Sequence, residues 1–182
     1  MKKRIFCAGL FVCLAVFSIQ AQEFGVRGGY QRSTIANDGD QVGDPLGSFY
    51  LGVFRNQVLG AEFLKLHTGL DYFTAGYKND SDNLHKMSYL AVNAALRAYL
   101  GPVFIQGGLS TNFKLSEKYR EDGDDDLDDD DKVKFLNVPI HGGLGVQFSR
   151  ITLEARYYYS LWDINDTGDR LAYLQVGAGL SF

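Results

Sequence analysis

From Glu23 onward the chain is written almost throughout in a period of two. Glu23 to Arg32 sets Phe24, Val26, Gly28 and Tyr30 against Gly25, Arg27, Gly29 and Gln31, which puts the two sets on opposite faces of a strand. Gly47 to Asn56 does the same with Phe49, Leu51 and Val53. Ala61 to Tyr77 opposes Leu64, Leu66, Leu70 and Tyr72 to Lys65, His67, Gly69 and Asp71, and Lys86 to Leu100 opposes Leu90, Val92 and Leu96 to Asn93 and Arg97. Val103 to Leu115, Val133 to Phe148, Ile151 to Leu161 and Leu171 to Phe182 complete a set of eight predicted strands.

The connections alternate as well. Long polar loops are expected at Ser33 to Leu46, Lys78 to His85, Ser116 to Lys132 and Trp162 to Arg170. Between them stand short turns at Gln57 to Gly60, Gly101-Pro102 and Ser149-Arg150. An even strand number with long and short connections in alternation predicts an all-β fold, an eight-stranded antiparallel up-and-down transmembrane β-barrel. On that reading both termini are periplasmic and the loop 116–132 is extracellular, in the cell outer membrane. Pro139 lacks an amide donor, so a bulge or an unpaired position is expected there. A soluble barrel would bury its apolar faces and charge its exterior. Here the apolar faces carry almost no charge apart from ends such as Arg55, which favours lipid outside.

The first residues have a different grammar. Lys2, Lys3 and Arg4, the uncharged run Ile5 to Ile19 and the ending Gln20-Ala21-Gln22 read as a signal peptide, residues 1–21, leaving one domain over 22–182. Both cysteines, Cys7 and Cys13, lie in that leader. The remainder therefore has no disulfide, cysteine metal site or thiol nucleophile available to it.

Charge is concentrated in one place. Residues 116–132 hold 10 acidic and 3 basic side chains, and the chain after the leader holds 22 acidic and 15 basic, so this loop equals the whole net charge of minus 7. Carboxylates on a mobile loop can gather calcium, and Asp122, Asp124, Asp126, Asp128 and Asp130 are weak candidates. The EF-hand spacing fails, with Leu127 where glycine is needed. A solvated, self-repelling loop is the default, with diffuse divalent bridging to lipopolysaccharide as a further reading. The expected partners are thus outer-membrane lipid and lipopolysaccharide, with no nucleic acid.

A second charged set is expected inside the barrel: Arg27, Lys65, Asp71, Arg97, Glu154 and Arg156, with His67 and His141. An eight-stranded lumen is just wide enough to be filled by side chains, so a salt-bridged plug is expected rather than a polar path or a hydrolase centre. A lipid-modifying enzyme would need Ser, His and acid together on the outward face. The pattern puts His67 and His141 inward and His85 in a loop, so no enzyme activity and no cofactor is expected. Tyr72, Phe73, Tyr77, the run Tyr157 to Tyr159 and Trp162 fall near the outer strand ends and read as an aromatic girdle.

With these strands placed, the chain resembles the PorT-type outer-membrane β-barrel family of Bacteroidota. The resemblance rests on Gly69 to Tyr72 running into Gly76 to Lys78, on Tyr89-Leu90, and on Leu96 to Tyr99 before Gly101 to Ile105. Gly107 to Leu109, and Leu153 to Tyr159 with Ile164-Asn165, complete it. It implies an eight-stranded barrel in the outer membrane, offers no catalytic residues, and raises an assembly or secretion role beside a structural or surface-binding one. In such families a terminal aromatic is a signal for the outer-membrane assembly machinery, which Phe182 would supply. A monomer is expected.

Overall fold

The computed structural model describes residues 22–37, 40–79, 83–120, 133–165 and 168–182. The expected leader, residues 1–21, and the calcium candidates of the acidic loop lie outside these. The described residues form nine strands: β1 (Gln22–Asn37), β2 (Asp40–Leu59), β3 (Ala61–Asn79), β4 (Asn83–Leu100), β5 (Val103–Arg120), β6 (Leu136–Asn137), β7 (Pro139–Phe148), β8 (Ile151–Ser160) and β9 (Asp169–Ser181). All neighbours pair antiparallel, β4 pairs with β5, and β1 pairs with β9 from Gly25–Ser181 to Asn37–Asp169. The sheet therefore closes on itself through β4–β5 and β1–β9.

β6 and β7 form one stave of the eight, broken at Val138 beside Pro139. The register on β5 is the same on both sides of the break, with Leu109 opposite Ile140 and Asn112 opposite Asn137. Pro139 therefore costs paired positions without adding a bulge. The bulge in this region lies elsewhere, between Ser88 and Tyr89 on β4, where β5 carries the additional residue Leu115.

All four expected long loops are partly strand, the last of them at Asp169 and Arg170, which pair with Asn37 and Ala36. The segment read as a loop from Ser33 to Leu46 pairs as far as Asn37 with Asp40, and Ser116 to Arg120 pair with Ser88 to Leu84. His85, expected in a loop, sits on β4 and is buried. Backbone groups still need partners where the chain leaves the apolar belt, so the ladder continues after the side-chain alternation ends. At the opposite end the turns are tight. Gly60 and Gly101 adopt φ of 70° and 62°, and among the described residues Ser149, at φ 53°, is the one non-glycine in this left-handed region.

The faces divide as the alternation predicts. Phe49, Leu51, Val53, Ile105, Leu109, Leu144 and Leu153 are exposed on the outside, while Arg27, Asp71, Arg97 and Arg156 are no more than 2% exposed within. Apolar residues outward and charges inward suit lipid as the surrounding solvent.

Candidate functional site: the filled lumen

The interior is stacked in three levels. Towards the long hairpins, Ile35, Phe73, Met87, Tyr89, Ile164, Leu171 and Tyr173 form an apolar cluster. Tyr158 lies on Tyr173 with ring centroids 4.4 Å apart and planes 10° apart, Phe73 lies 4.9 Å from Tyr173, and His141 lies 4.7 Å from Tyr158. Phe73 and Tyr158 thus leave the expected girdle and join the core, and Tyr77 packs against it. Tyr72, Tyr157, Tyr159 and Trp162 remain on the outside. Offset ring pairs of this kind add about 0.5–1.5 kcal/mol each beyond the area they bury.

The middle level is ionic. Arg27 donates from Nε and Nη2 to the two oxygens of Asp71 at 2.8 and 2.7 Å. Asp71 Oδ2 also accepts from Asn93 Nδ2 at 3.0 Å and lies 3.4 Å from Arg156 Nη1. Glu154 receives Arg97 Nη2 at 2.5 Å and faces Arg156 Nε at 3.3 Å and Arg27 Nη1 at 3.7 Å. Arg97 Nε donates to Gln106 Oε1 at 2.7 Å.

His67 joins two of the guanidiniums. Its Nε2 faces Arg27 Nη1 at 2.5 Å and Arg97 Nη2 at 3.3 Å, while Nδ1 lies 2.7 Å from Asn56 Oδ1. A guanidinium can only donate, so Nε2 must carry the lone pair and Nδ1 the proton. That lone pair is already engaged, which leaves this imidazole with no free base nitrogen.

Three guanidiniums therefore meet two carboxylates, and one positive charge is left over in a water-poor space. Ring faces take up part of it. Arg97 lies 4.5 Å from the centroid of Phe104, and Arg156 lies 5.1 Å from that of Tyr50. Phe54 and Phe104 form the floor of this level towards the short turns.

Lys65 stands apart from the set it was expected to join. It is paired with Arg97 across β3 and β4, where like charges repel, and it turns to Glu23 at 3.0 Å and to the Tyr99 ring at 4.9 Å. The ring floor was not expected from the sequence. Its signal is glycine in the neighbouring strand: Phe54 is paired with Gly25 and Gly69, and Phe104 with Gly145. A Cβ at Gly145 would stand 2.5 Å from Phe104 Cζ.

A closed sheet, apolar outside and filled by an ionic plug, defines a transmembrane β-barrel protein. The chain matches the family described as "Outer membrane protein beta-barrel domain" over residues 20–166 and belongs to it, and the protein is an outer-membrane β-barrel. Two solved structures share the fold. Ail, the attachment invasion locus protein of Yersinia pestis, solved with the heparin analogue sucrose octasulfate, is 16% identical with a TM-score of 0.59. Neisserial surface protein A is 14% identical with a TM-score of 0.63. Each comparison covers 90% of this chain and 100% of the other. No curated protein sequence matches. These likenesses carry the barrel and not the narrower PorT-type assignment.

Proposed function

We propose that the barrel is a non-conducting, non-catalytic scaffold that holds its long hairpins at the cell surface for interaction, with both termini and the short turns in the periplasm. The observation that carries this reading is the plug. Arg27, Asp71, Arg97, Glu154 and Arg156 span the lumen at side-chain exposures of 1–3%, which leaves no continuous wet path at that level. Support for a surface role comes from the acidic hairpin. With 10 acidic and 3 basic residues over 116–132, it would attract cationic partners or divalent ions and repel polyanions. Ail was solved with a polyanion, so a partner of opposite charge is proposed here.

The test has two arms. In planar lipid bilayers the purified barrel should show no unitary conductance, and stable channel openings would refute the plug. Cells expressing a form without residues 123–131 should keep the folded barrel but lose binding of polylysine at low salt, and unchanged binding would refute the surface role. Loss of secreted proteins in a knockout would instead favour the PorT-like assembly or secretion role, and altered lipid A would favour a lipid-modifying enzyme.

A further inference from the structure

Towards the long hairpins the outward face carries a cation that the chain itself leaves unneutralised. Arg32 is exposed on β1 and, among the described residues, has no ion pair, hydrogen bond or ring contact. Arg170, further out on β9, differs: it is met by Asp163 Oδ1 at 3.0 Å. One transverse row of the wall reads Gly47, Arg32, Leu174 and Tyr157, and the next row outward reads Thr34, Ala172 and Tyr159. Between them lies a groove of about 230 Å³ whose walls include Arg32, Thr34, Pro45, Tyr157 and Leu174. On the other side of Arg32 the Tyr30 hydroxyl lies over Gly47, where an added Cβ would overlap it. The Thr34 hydroxyl donates only at 3.5 Å, to Ile35 O, too long for a good hydrogen bond. The cation thus stands between two hydroxyl groups and opens on a groove.

Height decides what can fill it. Tyr157 and Tyr159 belong to the outer girdle, which puts the groove at headgroup level. Immediately on the membrane side, the row Phe49, Tyr30 and Val176 is exposed and largely apolar. An occupant that suits both rows carries an anion at the groove and hydrocarbon below it. A guanidinium takes phosphate through two parallel hydrogen bonds, and basic pockets at this level select lipid headgroups. The space beside Arg32 is wider than a lone phosphate needs and is walled by Pro45 and a tyrosine ring, flat faces that suit a sugar. In the outer leaflet of an outer membrane these features meet in the phosphorylated glucosamine end of lipid A.

We infer that this groove is a site for one lipid A molecule, with its phosphate on Arg32, its sugar between Pro45 and Tyr157, and its acyl chains running down over Tyr30 and Val176. The inference rests on the orientation proposed above, with the long hairpins outside the cell. It differs from general lipid contact in requiring the phosphate, the sugar and the groove, and each can be removed by itself.

The barrel in detergent would be examined by native mass spectrometry with bisphosphorylated lipid A, with the same lipid A stripped of its phosphates, and with dioleoyl phosphatidylglycerol. One bisphosphorylated lipid A should be retained about tenfold more strongly than either of the others, the worth of one charge-assisted hydrogen bond. Arg32→Gln should remove the preference for the phosphorylated form. Thr34→Tyr, which fills the groove and leaves Arg32 in place, should do the same. Lys86→Gln removes another exposed outward cation, three strands away on β4, and should leave the preference intact. A heat-dependent gel shift like that of the unaltered barrel shows that each variant is folded. Glucosamine 1-phosphate, which has the head and no chains, should not displace the lipid at equal concentration. Equal retention of any two of the lipids by the unaltered barrel would overturn the site, as would an unchanged preference in folded Arg32→Gln or Thr34→Tyr, an equal loss in Lys86→Gln, or displacement by glucosamine 1-phosphate. None of these readings depends on which way the barrel faces in the cell. Antibody access to an epitope placed within residues 123–131 on intact cells reads the orientation separately, and its failure would move the site to the other leaflet and overturn lipid A as the occupant.

Discussion

Replacing Asp71 by Asn tests the plug at its most connected member. Asp71 is 1% exposed, accepts two hydrogen bonds from Arg27 and one from Asn93, and lies 3.4 Å from Arg156. Asparagine keeps the volume, but it offers one oxygen and one NH2 to a guanidinium that can only donate. It also raises the unbalanced charge of the central group from one to two. Removing one partner of a buried ion pair costs about 3–5 kcal/mol. Urea titration in lipid vesicles, followed by the fluorescence of Trp162, the chain's one tryptophan, would read that loss. The informative control is Arg27→Met with Asp71→Leu, which removes one charge of each sign and leaves the balance as it was. The double variant should be more stable than Asp71→Asn alone by about 1–3 kcal/mol. A cost below about 1 kcal/mol for Asp71→Asn would refute the plug as a closed ionic unit, and so would a double variant no more stable than the single one.

Other consequences follow from the same geometry. Gly145→Ala should cost about 1–3 kcal/mol in that titration, because the new Cβ would meet both Phe104 Cζ at 2.5 Å and Leu153 O at 2.6 Å. Gly107→Ala, with nothing nearer than 3.9 Å, should stay within about 0.5 kcal/mol. With 15N-labelled histidine, His67 should show an unprotonated Nε2 and a protonated Nδ1, and the reverse tautomer would refute its bridging role. Burial pushes the Glu117 carboxyl up, but hydrogen bonds from His85 and Lys114 and the charge of both outweigh it and hold the carboxyl below its ordinary value of 4.5. The outer ends of β4 and β5, which these contacts join, are therefore fully stabilised above about that pH and lose this support as the pH falls through the lower folded value. Protease cleavage near the outer ends of β4 and β5 should accelerate on acidification in the unaltered protein and show no such step in Glu117→Gln. Deleting Phe182 removes one backbone hydrogen bond from the seam, so the mature barrel should lose no more than about 1 kcal/mol. Surface levels should fall sharply if the terminal aromatic is the assembly signal, and normal levels would refute that.

The wall of the barrel could be read from the sequence because lipid imposes one rule on every second residue. Phe24, Val53, Leu70, Val92 and Ile105 obey it, and their opposite neighbours supplied the inward set. Strand ends could not be read in this way. Beyond the apolar belt no lipid requires either face to be apolar, so Asn37 and Asp40 give no alternation although they are paired, and Arg120 gives none opposite Leu84. Aromatic rings were ambiguous for a related reason. Phe73 suits an outer girdle as well as a core, and the period alone does not say at which height a ring near the rim turns inward. Lys65 shows the limit of face assignment: it shares the inward face with Arg97, yet repulsion from that neighbour sends it to Glu23.

Register supplies what the period leaves out. Eight staves fix the circumference, so a wide side chain at one position requires a narrow one beside it at the same height. Arg27 stands between Gly52 and Gly179, Glu154 between Gly145 and Gly177, and Phe54 between Gly25 and Gly69. A glycine facing inward therefore marks the place where a neighbouring strand projects a large group, and the ionic level and its ring floor could be located from aligned strands before any side chain is built. The same constraint bears on function. A lumen packed this way has no room to vary without a compensating change across the ladder, which is why the proposed surface role is placed on the hairpins and not in the lumen.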